Sequence, residues 1–454
     1  MFNNCSIRML FSSFFFHTIF RKVLIISFLF FEEQVSAQIV FENVRVFDGK
    51  SATLTSPLHV LVEGNLIKKI SATTIAVENG VTRINGAGKT LMPGLIDVHV
   101  HLTFGALTQQ EMMSSEFSEQ LLMQKVGASA TQTLMRGFTS VRDVGGPIFP
   151  LKLAIDAGKI DGPRIWPSGA VISQTAGHGD FRAPNEKSRR FFGQPARAEL
   201  YGATFIADGR DEVLTATREN LRFGASQIKL MAGGGTSSAY DPVDVTQYTL
   251  DEMKAAVEAA EDWGTYVTVH AYTPRAVQRA IEAGVKCVEH GQMLDEKTLR
   301  LMAKKKVWLS LQNLVEDTPD MDPLRREKRK PVIDGQAKVW PLAKKLKVKL
   351  AWGTDFLFEP ELNNEQNAYI LRLQKWFTNA EILKMVTHDN AQLLQLSGLR
   401  SPYPGKLGVV EEGAMADLIL VDGNPLADLN LIAQPAIKFI VIMKDGKIVK
   451  QLNK

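Results

Sequence analysis

The chain has 454 residues, is 45% hydrophobic and 22% charged, and carries a formal net charge of +4. That length can bury a large core and admits more than one domain. So small a charge, without a basic stripe interleaved with aromatics, gives no argument for a nucleic-acid partner or a membrane surface, and neither is expected.

The first residues differ from the rest. Arg21-Lys22 precede a nine-residue apolar run, Val23–Phe31, and then Val35-Ser36-Ala37. A basic start, a short apolar run and a small-residue site describe a secretory signal peptide spanning 1–37. The run is too short to span a bilayer comfortably. A secreted or periplasmic protein beginning near Gln38 is expected, with no stable membrane association after cleavage. An uncleaved anchor, or translation from Met9, is the competing view. Of the two cysteines, Cys5 leaves with the leader, and Cys287 sits in an apolar run as a core residue.

Residues 38–92 read as short strands. Gln38–Phe47 alternates in polarity before Asp48-Gly49, and 59–70 is a hairpin turning at Gly64-Asn65. The C-terminal end, 401–454, is also strand-rich, at 416–422 and 439–449, with a turn at Asp445-Gly446. Two β-rich ends around a different middle suggest one small β-sandwich assembled from both. In the middle, 93–400, apolar strand runs recur at 94–102, 138–144, 164–172, 226–232, 266–271, 286–290, 307–312 and 348–354. Helical patterns lie between most of them. Thr249-Leu-Asp-Glu252 is a capping box, Thr273-Pro274 to Gly284 has a start and a stop signal, and 379–396 reads as an amphipathic helix. The basic run Arg325-Arg-Glu-Lys-Arg-Lys330 reads as a solvated helix face. Eight strands in β-α alternation predict an α/β fold, a (β/α)8 TIM barrel. A doubly wound open sheet is the runner-up, but no G-x-G-x-x-G follows the first strand.

In such a barrel the chemistry sits at the C-terminal strand ends. The first strand ends in His99 and His101, which share one face because they are two apart. The fourth holds Lys229 in an apolar run, the fifth ends in His270, the sixth in His290 and the eighth in Asp355. Only eight histidines exist, and four fall at these places. The six residues are ligand types for one or two borderline cations such as zinc. Taken singly, each has a bland reading: a satisfied core histidine, or a lysine snorkelling from a strand end. The set does not. A buried ammonium beside cations is strongly disfavoured. Conversion of Lys229 to a carbamate (N6-carboxylysine) resolves this, because its two oxygens can bridge two metals.

Gly94-Leu-Ile-Asp-Val-His-Val-His-Leu102 resembles the first-strand signature of the amidohydrolase superfamily. The Lys, His, His, Asp order on strands four, five, six and eight, and Gly408–Pro425 near the C-terminus, resemble it too. Gln227–Gly235, Val269-His-Ala-Tyr272 and Glu289-His-Gly291 are similar to the imidazolonepropionase-related group, which includes Xaa-Pro and Xaa-Arg/Lys dipeptidases and ochratoxin-hydrolysing amidases. The resemblance implies two divalent metal ions, zinc by expectation. His99, His101 and Asp355 would hold the more buried ion, His270 and His290 the other, and carboxylated Lys229 both. It implies hydrolysis of a small-molecule amide or dipeptide, with Asp355 shuttling the proton, and a homo-oligomer is expected. Tyr272, two residues past His270, and His178 in Thr175-Ala-Gly-His-Gly-Asp180 are implied substrate contacts. For these two the structural alternatives are core packing and loop ordering.

The loop 173–211 carries Arg182, Arg189, Arg190, Arg197 and Arg210, one of which could meet a substrate carboxylate. The last loop, Phe356-Leu-Phe-Glu-Pro-Glu-Leu-Asn-Asn-Glu365, departs from the family, where a His-Gly pair is common after the Gly-Thr-Asp. The alternatives are a mononuclear cyclic-amide hydrolase or deaminase, and a secreted metal-binding protein. Lys229 speaks against the first and Asp355 against the second.

Overall fold

The parallel strands of the middle of the chain are buried along almost their whole length, which is what continuous apolar runs predict for strands covered on both faces. The computed structural model describes residues 38–452 apart from 78–79, 115–117, 315–316 and 318–320. The expected signal peptide, with Cys5, lies outside the described residues.

Strands from the two ends of the chain share one sheet. Gln38–Val46 pairs antiparallel with Leu58–Glu63, which pairs with Leu66–Ser71 through the turn at Gly64-Asn65. At the C-terminal end, Leu418–Val421, Phe439–Lys444 and Lys447–Gln451 run antiparallel. Thr90–Pro93 joins the halves, parallel to Gln38–Val46 and antiparallel to Leu418–Val421. Phe41, Val44, Val60, Val62, Leu91, Leu418, Leu420 and Val441 fill the core between them. The turn at Asp445-Gly446 has φ of 54° and 71°, the left-handed pair a tight hairpin demands.

The middle of the chain makes two parallel sheets. Leu95–Val100, Phe138–Asp143 and Arg164–Pro167 form one. The other runs in the order Thr204–Ile206, Val171–Ser173, Ile228–Met231, Val267–Ala271, Cys287–His290, Trp308–Leu311, Lys349–Trp352. All eight expected strand runs are present. Side chains and backbone join the two sheets at both margins. At one, Ser226 N donates to Pro167 O (2.7 Å), and Gln227 Nε2 donates to Asp143 O (3.1 Å) and Trp166 O (3.0 Å). At the other, Asp355 N donates to His99 O (2.8 Å), and Asn390 binds both edges.

Four expectations need correction. The run 164–172 is two strands, because Gly169 adopts φ +76° and Asn220 takes the backbone N–H of Ala170 between them. The long loop 173–211 contains the strand Thr204–Ile206 and short helices at Arg189–Phe192 and Arg197–Leu200. The helix 379–396 is broken: a π turn at Met385–Asp389 separates Asn379–Lys384 from Asn390–Leu394. That turn places Asn390 at the sheet margin. The basic run lies on the helix Pro323–Lys345 but is only partly solvated, since Arg329 is buried against Asp317 (2.6 Å). The capping box at Thr249, the Thr273 cap and the Gly284 stop (φ +106°) form as read, and Cys287 is buried.

Asn390 Oδ1 accepts from Trp352 N (2.9 Å), while Nδ2 donates to Trp352 O (2.8 Å) and Ile96 O (2.6 Å). Truncation leaves these buried backbone groups unpaired, at ~1–3 kcal/mol each. Asn390→Ala is expected to lose about 3 kcal/mol in urea unfolding. A loss below about 1 kcal/mol would contradict the bridging role.

Candidate metal centre

The site starts from two histidines whose outer nitrogens are already engaged. His99 Nδ1 lies 2.9 Å from Glu289 Oε2, and His101 Nδ1 lies 3.0 Å from the carbonyl oxygen of Gly145. A carbonyl and an ionised carboxylate only accept, so each Nδ1 carries the proton and each Nε2 presents a lone pair. Both Nε2 atoms face Asp355 Oδ1, at 3.1 Å from His99 and 3.3 Å from His101. His99 Nε2 is buried and makes no directed hydrogen bond. Three ligand atoms of His99, His101 and Asp355 lie within 4.8 Å of one another, and with both rings neutral they have no proton to share. Such an arrangement is repulsive until a cation enters, so the donor set fits a divalent ion with N and O preference.

Backbone geometry supports the cluster. Asp97, two residues before His99, accepts from His99 N (3.1 Å), Thr354 N (3.1 Å), Thr354 Oγ1 (2.7 Å) and Gln366 Nε2 (3.0 Å). It thereby ties the first strand to the segment carrying Asp355. Asp355 itself has φ +59°, a left-handed conformation that turns its carboxylate toward the histidines.

The remaining expected residues sit alongside. His290 Nδ1 is 3.9 Å from Asp355 Oδ2, and its ring centroid is 5.1 Å from that of His99 and 4.3 Å from that of His270. His270 Nε2 donates to Gly234 O (3.1 Å), which leaves its Nδ1 as a lone pair. Burial pushes His270 and His290 well below the ordinary histidine value, so both remain free bases. Lys229 is 1% exposed. It lies opposite Thr268 in the register with the His270 strand. Burial drives its ammonium pKa down, against the pull of Glu289 and Asp355, and among the described residues it makes no ion pair. His178 stacks 4.0 Å from His270 with Nδ1 2.9 Å from Ser238 Oγ, and burial lowers it to about 4. Tyr272 packs 4.9 Å from His270 and 5.2 Å from His290, and burial raises its phenol. All eight expected residues thus converge at one end of the parallel strands.

Four supporting residues escaped the sequence reading: Asp97, Arg142, Asp143 and Glu289. Arg142 is fully buried and donates to Glu289 Oε1 (2.6 Å), Val98 O (2.6 Å) and Tyr266 Oη (3.1 Å). Glu289 also accepts from Thr268 Oγ1. Burial opposes the Glu289 charge, but Arg142 and His99 hold its carboxyl far below the usual range. Asp143 accepts from Leu102 N (2.8 Å) and Gly145 N (3.2 Å), and burial raises it to about 7. The available signal was a charge inside a strand otherwise buried on both faces, which needs a partner. In the loop 173–211, Arg182 pairs with Asp180, Arg189 with Glu199, Arg190 with Glu212, and Arg210 with Asp251 and Glu258. Those four guanidiniums are committed to this chain's own carboxylates.

Residues 90–449 match the model of the amidohydrolase family. The chain is 32% identical over 377 residues to an ochratoxinase of Aspergillus niger, covering 79% of this chain and 75% of that protein. A prolidase solved in complex with N-methylphosphonate-L-proline superposes with a TM-score of 0.83 at 32% identity, over 92% of this chain and 100% of that one. A Xaa-Pro dipeptidase solved with methionine in its active site gives a TM-score of 0.77 at 28% identity, over 91% and 100%.

Glu289 fixes the tautomer of His99, and outer partners of this kind typically contribute 10–100-fold to metal affinity. Glu289→Gln is expected to weaken Zn2+ binding by about that factor in chelator competition. Unchanged affinity in a folded variant would contradict the assignment.

Proposed function

The chain belongs to the amidohydrolase family and hydrolyses amide bonds, and on that premise we propose a binuclear metal-dependent hydrolase of dipeptides or N-acyl amino acids. The observation that carries the metal reading is the pair of Nε2 lone pairs set against Asp355 Oδ1. His99, His101 and Asp355 would hold one ion, His270 and His290 a second, and Lys229, as its carbamate, both. The nitrogen and oxygen donors suit zinc. Lys229 favours two ions over one: a buried amine of depressed basicity, without an ion-pair partner among the described residues, is the form that adds carbon dioxide. The substrate class is supported by the prolidase and the Xaa-Pro dipeptidase, whose chains are matched in full.

Divalent cations in this site would lower the pKa of a water to near 7 and polarise the scissile carbonyl. The chain's own residues do the rest. Asp355, ionised, takes a proton from the attacking water and passes it to the leaving nitrogen as the C–O bond forms and the C–N bond breaks. Tyr272, kept as a phenol by burial, offers a hydrogen bond to a substrate carbonyl or carboxylate oxygen. His178, kept neutral, lines the same face beside His270. Glu289 and Arg142 hold His99 in the tautomer that presents Nε2 to the cation.

The architecture fits this reading. Hydrogen bonds at both margins of the two parallel sheets support a closed (β/α)8 barrel over 93–400, with 38–92 and 401–454 as a β-sandwich beside it. Among the described residues no helix is long and apolar enough to cross a membrane. Export through the leader at 1–37 is part of the proposal.

Two experiments test it. Metal analysis of protein prepared with zinc and bicarbonate is expected to give two ions per chain and about one in Lys229→Met, a stoichiometry that follows from the ligand set. One tightly held ion in the unaltered chain would rule out the binuclear reading. Asp355→Asn is expected to lower kcat about 10²–10⁴-fold on Xaa-Pro and N-acyl amino-acid substrates. Undiminished turnover would remove Asp355 as the proton carrier.

A further inference from the structure

Three phenylalanines meet beside the centre, each three residues past one of the site residues. Phe104 follows His101, Phe181 follows His178 and Phe358 follows Asp355. They come from the segments after the first, third and eighth of the expected barrel strands, Phe104 from the short helix Leu102–Gly105. Phe104 is central to the group. Its ring centroid is 5.8 Å from His101, 6.1 Å from Phe181 in a T-shaped contact, and 5.7 Å from Phe358. Phe104 is 2% exposed, whereas Phe181 and Phe358 are half-buried and keep part of their surface open. Each ring thus follows a polar site residue at the same three-residue spacing.

Phe358 has a second peculiarity. It lies in the loop that departs from the family, and its backbone adopts φ +57°, a conformation that a bulky side chain rarely takes and glycine takes freely. Its N–H donates to the carbonyl oxygen of Phe104 (2.9 Å), which holds it there. Neither the hydrogen bond nor the turn needs a ring, because both are made by the backbone. What the phenylalanine adds is aromatic surface against Phe104 on the His101 side of the site. Phe181 and Phe358 keep apolar surface partly open beside a polar centre, and such surface can take a ligand's apolar portion out of water.

We propose that Phe104, Phe181 and Phe358 form a subsite that selects substrates carrying an aromatic group next to the scissile amide. This rests on the amide-hydrolase reading above and narrows its substrate class. Ring-on-ring contact prefers offset or T-shaped approaches, and the Phe104–Phe181 pair already shows one such geometry that a third ring can extend.

Phe358→Gly tests it without breaking the fold, since glycine relaxes the left-handed backbone and keeps the N–H bond to Phe104. Phe181→Ala is the second variant. Two substrate pairs are compared, N-benzoyl against N-acetyl on one amino acid, and one N-acyl group on phenylalanine against glycine. The aromatic-over-small ratio of kcat/KM is the readout. One apolar contact of this size is worth about 10–200-fold in discrimination, so each variant is expected to lower that ratio about tenfold or more in at least one pair. Phe358→Gly is expected to stay folded at the assay temperature, the relief of the left-handed backbone offsetting part of the packing lost. Hydrolysis of all four compounds with ratios within about twofold of the unaltered chain in both variants would overturn the subsite. An unaltered enzyme that hydrolyses none of the four but does hydrolyse Xaa-Pro dipeptides would overturn the subsite alone, and one that hydrolyses neither set would overturn the amide-substrate reading with it.

Discussion

Three ligand atoms without a proton between them set the terms for this structure. His99 and His101 each spend their only ring N–H on an acceptor that cannot return one, so two lone pairs face one carboxylate oxygen at 3.1 and 3.3 Å. In a buried site that arrangement is unfavourable on its own, and it is held in place by groups that gain elsewhere. Asp97 ties the first strand to Thr354, Arg142 and Glu289 anchor His99, and Gly145 anchors His101. The fold carries the strain of keeping the site ready for a cation, which is how metal centres are preorganised.

The candidate ligands were legible in the sequence because their pattern is local. Two histidines at i and i+2 must share a strand face, and a histidine, lysine or aspartate ending an apolar run must lie near a strand end. The strands were equally legible, since buried parallel strands are continuous apolar runs. Helix limits marked by Thr249, Thr273 and Gly284 followed from capping chemistry alone.

What escaped was non-local. Glu289 is 147 residues from Arg142 and 190 from His99, and no spacing rule links them. The break in the helix 379–396 depends on Asn390 reaching two strands 38 and 294 residues away, so its amphipathic pattern gave no warning. Arg329 sits in a basic run that reads as solvated, but its partner Asp317 lies in the preceding loop and draws it inward. The aromatic group of Phe104, Phe181 and Phe358 likewise exists only once three segments are brought together.

The central claim is that both Nε2 atoms are lone pairs waiting for a cation, rather than donors to Asp355. Nitrogen NMR of metal-free protein labelled only at histidine tests this directly, with His99→Asn and His101→Asn spectra to assign the two signals. The account predicts that both are neutral Nδ1–H tautomers and that their Nε2 resonances shift together when one equivalent of Zn2+ is added. Nε2–H or doubly protonated rings that Zn2+ leaves unmoved would show a hydrogen-bonded or ion-paired cluster instead, and the metal centre would not stand.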